Sequence, residues 1–139
     1  MTLITRLVYA RRHPALRRPI REMLALWGVE FPPQAEVGAG LVLEHRAFGL
    51  VVSGAARLGK NVRLYQGVTI GGADVYNTTH QAEAIVIEDD VIICAGAKVL
   101  AGAGTLTVGR GTIIAANAVL LTSTGPGEVW GGVPARKLR

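Results

Sequence analysis

His45 places a titratable side chain in a part of the chain that is otherwise small and aliphatic, within the segment LEHRAFG. Histidine has an unperturbed pKa of about 6.5, so an imidazole can remove a proton near neutral pH when a carboxylate fixes its tautomer. His45 is therefore a candidate general base. A solvated surface histidine is the alternative that the sequence leaves open.

Two carboxylates could orient His45. Glu44 is its direct neighbour, but adjacent side chains on a strand point to opposite faces. Glu30 precedes His45 by fifteen residues, a little less than one turn of the coil inferred below. The spacing alone leaves both carboxylates open.

A second histidine, His80, lies in DVYNTTHQAEA (residues 74–84), which interrupts an otherwise regular pattern. Long loops in compact domains often carry function. His80 is therefore a candidate site residue, although an insertion can also carry a histidine without a role.

Other kinds of site have less support. The histidines are not closely paired, so we expect no metal site. Cys94 occupies a small-residue position in ICAGAK, which favours a packed side chain over a nucleophile. The glycine-rich AGAGTLTVGRG lacks the Lys-Ser/Thr ending of a phosphate loop. Arginines without interleaved aromatics do not indicate a nucleic-acid partner.

The elements that must position these side chains follow a repeat of six. Aliphatic residues lead successive hexads, with Gly49 as one extra residue, the break at 74–84, and a three-residue slip before Val108. A period of six fits neither a helix nor a half-buried strand and is typical of a parallel β-helix. The leading positions are Val37, Leu43, Leu50, Ala56, Val62, Val68, Ile87, Ile93, Val99, Val108, Ile114 and Leu120.

The repeat predicts an all-β fold, in which three hexads close one coil of about 18 residues. Hexapeptide β-helices wind left-handed, against the usual crossover rule. We predict a left-handed β-helix over residues 31–124 with the loop 74–84, and a C-terminal segment over 125–139.

Residues 1–30 have a different character. They hold six arginines against Glu22 and Glu30, which accounts for most of the net charge of +5. Apolar residues at helical spacing, with Pro14 between two groups and Gly28 as a stop, predict two short helices. We expect them to cap the first coil. A weak contact with an anionic membrane surface or polymer is the alternative.

Composition sets the remaining limits. With 139 residues the chain fits one domain, and no apolar run reaches the length of a membrane span. Arginines interrupt the N-terminal apolar stretch, which argues against a secretory signal. The single cysteine fits a cytoplasmic location, with a peripheral place at the inner membrane face as the variant.

Several motifs together resemble the serine acetyltransferase family of hexapeptide-repeat acyltransferases. They are LEHRAFGLVVSG, YQGVTIGG, the loop with His80, ICAGAKVL, VGRGTIIAANAVL and GGVPARKL, spanning about residues 30–139. The resemblance implies a left-handed β-helix that assembles as a homotrimer or a dimer of trimers. It also implies acetyl-CoA as co-substrate, bound in a groove between subunits.

The resemblance also implies roles for individual residues. His45 matches the catalytic base, and Glu30 and Glu44 stand where the family has Asp. His80 matches a histidine that holds the acceptor, with Thr79 where an arginine usually precedes it. The expected acetyl-CoA contacts are the small residues Gly72, Ala95 and Ala116 and, for the phosphates, Lys98, Arg110, Arg136 and Lys137.

Two departures from the family bear on the acceptor. The long N-terminal helical region of the serine enzymes is reduced here to about 30 residues, and Thr79 cannot pair with a carboxylate as arginine does. Both favour an O-acetyltransferase that acts on a saccharide hydroxyl, as in exopolysaccharide and colanic-acid-type acetyltransferases. Serine acetylation for cysteine biosynthesis and a non-catalytic β-helix scaffold are the alternatives.

Overall fold

The structure is a computed structural model that describes residues 1–74, 76 and 82–139. Two helices come first, α1 (Leu3–Ala10) and α2 (Arg17–Leu26), as the helical spacing predicted. Almost all further regular structure is β-strand. None of the helices in this described part of the chain is long and apolar enough to cross a membrane.

The strands form three sheets, which the chain visits in rotation. Sheet I contains β1 (Glu36–Val37), β4 (Ala56–Leu58), β7 (Ala82–Ile87) and β10 (Gly104–Val108). Sheet II contains β2 (Val42–Leu43), β5 (Arg63–Leu64), β8 (Ile92–Ile93), β11 (Ile113–Ile114), β13 (Val129–Gly132) and β14 (Ala135–Lys137). Sheet III contains β3 (Val51–Val52), β6 (Thr69–Gly72), β9 (Lys98–Ala101) and β12 (Val119–Leu120).

Strands in each sheet pair in parallel, except for the closing hairpin of β13 and β14. Each coil therefore hydrogen-bonds to the coil above it, and aliphatic side chains fill the space between the three sheets. One buried cluster runs the length of this stack, from helix residues such as Val8 and Leu24 to Leu120 near the end. The predicted parallel coils with an aliphatic core are confirmed.

The register corrects the repeat frame at the first coil. In sheet III, Val52 pairs with Ile70, and Ile70 with Val99, so Leu50 is not the equivalent of Val99. Leu50 and Val52 are both buried, because residues two apart on a strand share a face. If the hexads are counted from a position two residues too early, each of them still begins with an aliphatic residue. The hexads predicted from the sequence contain this two-residue shift, which enters between Leu43 and Leu50.

Pairing between coils locates the irregular turns. Val51 pairs with Thr69, exactly three hexads further along the chain, which is the regular coil. Val42 pairs with Arg63, three positions beyond three hexads, so the turn after Leu43 adds three residues rather than one. Thr69 pairs with Lys98, and the sequence separation of these two residues exceeds three hexads by eleven residues, which is the length of the predicted break. The three-residue insertion thus lies in the turn that carries His45, and the eleven extra residues fall between β6 and β7 in the chain.

The N-terminal helices pack onto the open end of the first coil. Ile4, Val8, Ile20 and Leu24 are buried in the common core. The hydroxyl of Tyr9 donates to the carbonyl oxygen of Gly38 at 2.7 Å and accepts from a backbone N–H of the first coil. These contacts support the capping role predicted for residues 1–30.

Candidate active site

His45 lies in a short 3-10 turn, Glu44–Ala47, at the junction of sheets II and III. His45, Arg46 and Ala47 have φ values of 48°, 59° and 55°, so three consecutive non-glycine residues adopt the left-handed region. That region costs an L-residue roughly 1–2 kcal/mol. Strained backbone of this kind is concentrated at functional sites. The turn leaves the His45 side chain exposed at the surface.

Glu44 is held by a different partner. Its carboxylate accepts a hydrogen bond from the guanidinium of Arg63, one coil further on, and the two side chains form an ion pair. In the described part of the chain, no hydrogen bond or ion pair connects Glu44 with His45. The ion pair follows from the register, because β2 and β5 are neighbours in sheet II.

The backbone of Glu30 is held against the next coil. It forms an isolated parallel bridge with Val51, and its N–H donates to the carbonyl oxygen of Leu50 at 2.9 Å. The three extra residues of the turn move His45 away from the stacking position that a regular coil would have given it. Among the described residues, Glu30 makes no hydrogen bond to the histidine.

The coils below His45 form a continuous column of turns, which we call the His45 corner (residues 44–49, 65–67, 94–96 and 115–117). Backbone N–H groups connect it: Gly67 donates to Phe48, Gly96 to Gln66 and Asn117 to Ala95. Ala95 and Ala116 both lie in this column. Ala116 is exposed there and Ala95 is half-buried.

Two residues of the His45 corner were not identified from the sequence. The ring of Tyr65 contacts that of His45, with 6.0 Å between centroids and 47° between planes. The amide oxygen of Gln66 is buried and has no hydrogen-bond partner within the described structure. The motif YQGVTIGG contains both, but their position depends on the coil lengths, which the sequence frame misplaced.

Cys94 lies in the same corner and is half-buried. Burial raises the pKa of its thiol, which keeps it protonated near neutral pH. This fits the predicted packing role.

The predicted phosphate-binding cations lie in different places. Lys98 is on β9, beside the His45 corner, and its ammonium donates to the carbonyl oxygen of Gly67. Arg136 and Lys137 are on the closing hairpin, where the Lys137 ammonium pairs with Glu128 at 2.9 Å. Arg110 lies at the junction of sheets I and II and pairs with Asp89 at 3.3 Å. Within one chain, Arg110 is therefore not part of the His45 corner.

Gly72 ends β6, and apart from its chain neighbours no atom of the described residues lies within 4 Å of the position that a Cβ would occupy there. Another molecule could therefore approach this backbone closely. The predicted acceptor residues His80 and Thr79 lie outside the described residues. Within the described residues, no three histidine, cysteine, aspartate or glutamate side chains are grouped as metal ligands would be.

We compared the chain with known proteins, by sequence and by structure, to identify its family. No protein-family model matches the chain. A serine acetyltransferase of Staphylococcus xylosus is 35% identical over 133 residues, which make up 95% of this chain and 58% of that protein. A serine acetyltransferase structure from Neisseria gonorrhoeae, in complex with serine, gives a TM-score of 0.81 at 29% identity and covers 98% of this chain and 55% of that one.

A serine acetyltransferase structure in complex with CoA gives a TM-score of 0.76 at 28% identity, covering 97% of this chain and 54% of that one. The chain thus spans little more than half the length of these relatives. They give no support to the predicted saccharide acceptor or to a membrane contact through residues 1–30. By sequence and by fold, this chain is a relative of the serine acetyltransferases, and its predicted resemblance to that family is confirmed.

Proposed function

We propose that this protein transfers an acetyl group from acetyl-CoA to the hydroxyl of a small acceptor, with His45 as general base. The observation that carries the proposal is the strained left-handed turn that displays His45. It adjoins a corner of small residues in a chain 35% identical to a serine acetyltransferase. The regular coils need no such turn, so packing alone does not account for it.

The reaction follows from the chemistry of an exposed imidazole. His45 removes the proton of the acceptor hydroxyl as its oxygen attacks the thioester carbonyl. A backbone N–H near Gly72 stabilises the oxyanion of the tetrahedral intermediate. When the C–S bond breaks, the protonated His45 returns the proton to the CoA thiolate. Glu30 or Glu44 orients the imidazole, and transfer is direct, without an acyl-enzyme.

Acetyl-CoA would lie along the His45 corner, against the backbone at Ala95 and Ala116, and Gly72, at the other end of β6, would come from a neighbouring subunit. Lys98 adjoins this path, and Arg136 is placed on the closing hairpin, so these two are the better-supported phosphate contacts. Arg110 and Lys137 are already paired with carboxylates. They would contact CoA only from a neighbouring subunit or after exchanging partners.

We infer that the three sheets wind as a left-handed β-helix and that the chain assembles as a homotrimer or a dimer of trimers. Hexapeptide-repeat acyltransferases have that architecture, and the similarity to solved serine acetyltransferases supports it. The proposed units remain residues 1–30, 31–124 and 125–139, and the proposed location is cytoplasmic.

Serine is the acceptor that the relatives favour, since one similar structure is a complex with serine. Acetylation of serine for cysteine biosynthesis therefore replaces a saccharide as our leading proposal, with His80 holding the acceptor. A saccharide hydroxyl stays the second candidate, because Thr79 stands where the family has an arginine for the acceptor's carboxylate.

An acceptor screen tests the proposal. Thiol release from acetyl-CoA is measured with L-serine, nucleotide sugars and oligosaccharides, each at millimolar concentration. We expect saturable release with L-serine alone. Release with a sugar but not with serine would select the second candidate. Release with neither would favour a non-catalytic scaffold.

A further inference from the structure

A second concave region lies away from the His45 corner, at the N-terminal end of the stack. It is a pocket of about 450 Å³ between α2 and the segment that leads into the first coil. Its charged lining residues are Arg11, Arg17, Arg18, Arg21 and Glu30. Apolar and proline side chains of residues 29–33 complete the wall, and we call this region the arginine pocket. Its volume is within the range of small-molecule sites.

Arg11 forms the floor of the arginine pocket and is only 2% exposed. Its guanidinium donates to the carbonyl oxygens of Val8, Pro32 and Ala35, and it lies 4.5 Å from the ring centroid of Phe31. These bonds use three of its five N–H groups, and their neutral acceptors do not cancel its charge. Burial and the neighbouring Arg12 lower the pKa of Arg11 to about 10, so it remains charged at neutral pH.

The other three arginines extend from the start of α2. Arg17, Arg18 and Arg21 are exposed, and none of them forms an ion pair within the described structure. Glu30 is the only carboxylate among the described residues that line the pocket. Four guanidinium groups therefore face one carboxylate.

The backbone adds to this field. Helix α2 has no acidic residue in its first turn, and Leu16 at its N-cap provides no side-chain acceptor. The first N–H groups of α2 therefore have no capping side chain, and they lie at the positive end of the helix dipole.

We propose that the arginine pocket binds a phosphate-type oxyanion, either free or as the ester group of a small molecule. Guanidinium groups bind phosphate oxygens in pairs with parallel hydrogen bonds. An excess of three positive charges suits a dianion, since a single carboxylate would leave most of that charge unmatched. None of its arginines belongs to the proposed catalytic residues, whereas Glu30, which also lines the pocket, is a candidate to orient His45.

The test is a calorimetric titration of the full chain with inorganic phosphate, with ionic strength held constant by sodium chloride. We expect saturable binding at one site per chain. Arg18→Gln with Arg21→Gln should weaken it by about tenfold or more, since each removes charged hydrogen bonds. Arg18→Lys, which keeps the charge but not the paired donors, should weaken it less. Arg6→Gln, which removes one charge on the exposed side of α1 where the double variant removes two, should leave the affinity within twofold.

Two further arms separate the sources of the phosphate. Glycerol 3-phosphate should bind at least as well as inorganic phosphate, and glycerol should not bind. Vesicles of phosphatidylglycerol should not compete with phosphate. The proposal is overturned if phosphate shows no saturable binding, if Arg6→Gln loses as much affinity as the pocket variants, or if only the vesicles bind.

Discussion

His45 occupies a backbone conformation that its residue type rarely adopts. The cost is tolerated because the neighbouring coils fix the turn: Ala47 is fully buried and accepts from Leu50, and Gly67 donates to Phe48. The imidazole is thus carried by an ordered turn and not by a mobile loop. Preorganisation of this kind is what a general base needs.

The ion pair between Glu44 and Arg63 yields a prediction at the same scale. If Glu44 acts only by holding the turn through Arg63, then Glu44→Gln, Arg63→Gln and the double variant should lower kcat equally, within about twofold. Because both side chains are partly exposed, each change should cost less than about 1 kcal/mol of stability. Steady-state kinetics and urea unfolding check both values. A much larger loss for Glu44→Gln than for Arg63→Gln would mean that Glu44 orients His45 directly.

At the scale of elements, the sequence predicted the hexad repeat, the aliphatic core and the two helices, but the end of the loop predicted at 74–84 was wrong, since β7 already begins at Ala82. The sequence also misplaced the frame at Leu50, because each hexad buries two residues on one face. It could not predict the partner of Glu44 either. That contact depends on a coil longer than three hexads, and the extra residues are visible only once β2 and β5 are paired.

Close stacking between coils makes Gly38 sensitive to substitution. A Cβ at Gly38 would lie 2.6 Å from the carbonyl carbon and oxygen of Gly59, which are backbone atoms. We predict that Gly38→Ala lowers the free energy of unfolding by about 1–3 kcal/mol. Gly102→Ala is the matched control, since in the described part of the chain no atom beyond its sequence neighbours lies within 4 Å of its Cβ position. Urea unfolding of both variants measures the difference, and equal stabilities would contradict the coil spacing described here.

The closing hairpin is sensitive to acid. Three donors lower the pKa of Glu128 to about 2. They are the ammonium of Lys137 at 2.9 Å, the indole N–H of Trp130 at 2.8 Å and the backbone N–H of Gly125 at 2.8 Å. A carboxylate with a lowered pKa stabilises the fold above its unfolded pKa of about 4.3, and that contribution is lost as the pH falls towards 2.

We therefore predict that Glu128→Gln lowers Tm at pH 6 and that the difference from the unmodified protein disappears near pH 2. Thermal unfolding between pH 6 and pH 2 measures it. Glu36→Gln, a change at an exposed carboxylate on β1, should show no comparable effect. An equal Tm difference at both ends of the range would contradict the assignment.

At the scale of the whole molecule, sheet III and its adjoining corners expose apolar side chains. Phe48, Val51 and Leu121 are 51%, 38% and 49% exposed. Three chains of 14.6 kDa give about 44 kDa, and we predict this mass, or twice it, in sedimentation equilibrium. Phe48→Glu should dissociate the assembly, whereas Leu26→Glu, at a more exposed leucine on α2, should not. A monomeric mass for the unmodified chain would contradict a site shared between subunits.

The central claim is that His45 is the base in acetyl transfer to a hydroxyl. The most direct measurement is acceptor-dependent thiol release from acetyl-CoA by His45→Ala, with His13→Ala as the control because His13 lies between the two helices, outside the coils. We predict that His45→Ala loses at least about 100-fold in kcat with L-serine, the lower end of general-base contributions, and that His13→Ala keeps its rate. Retention of thiol release by His45→Ala would contradict the mechanism.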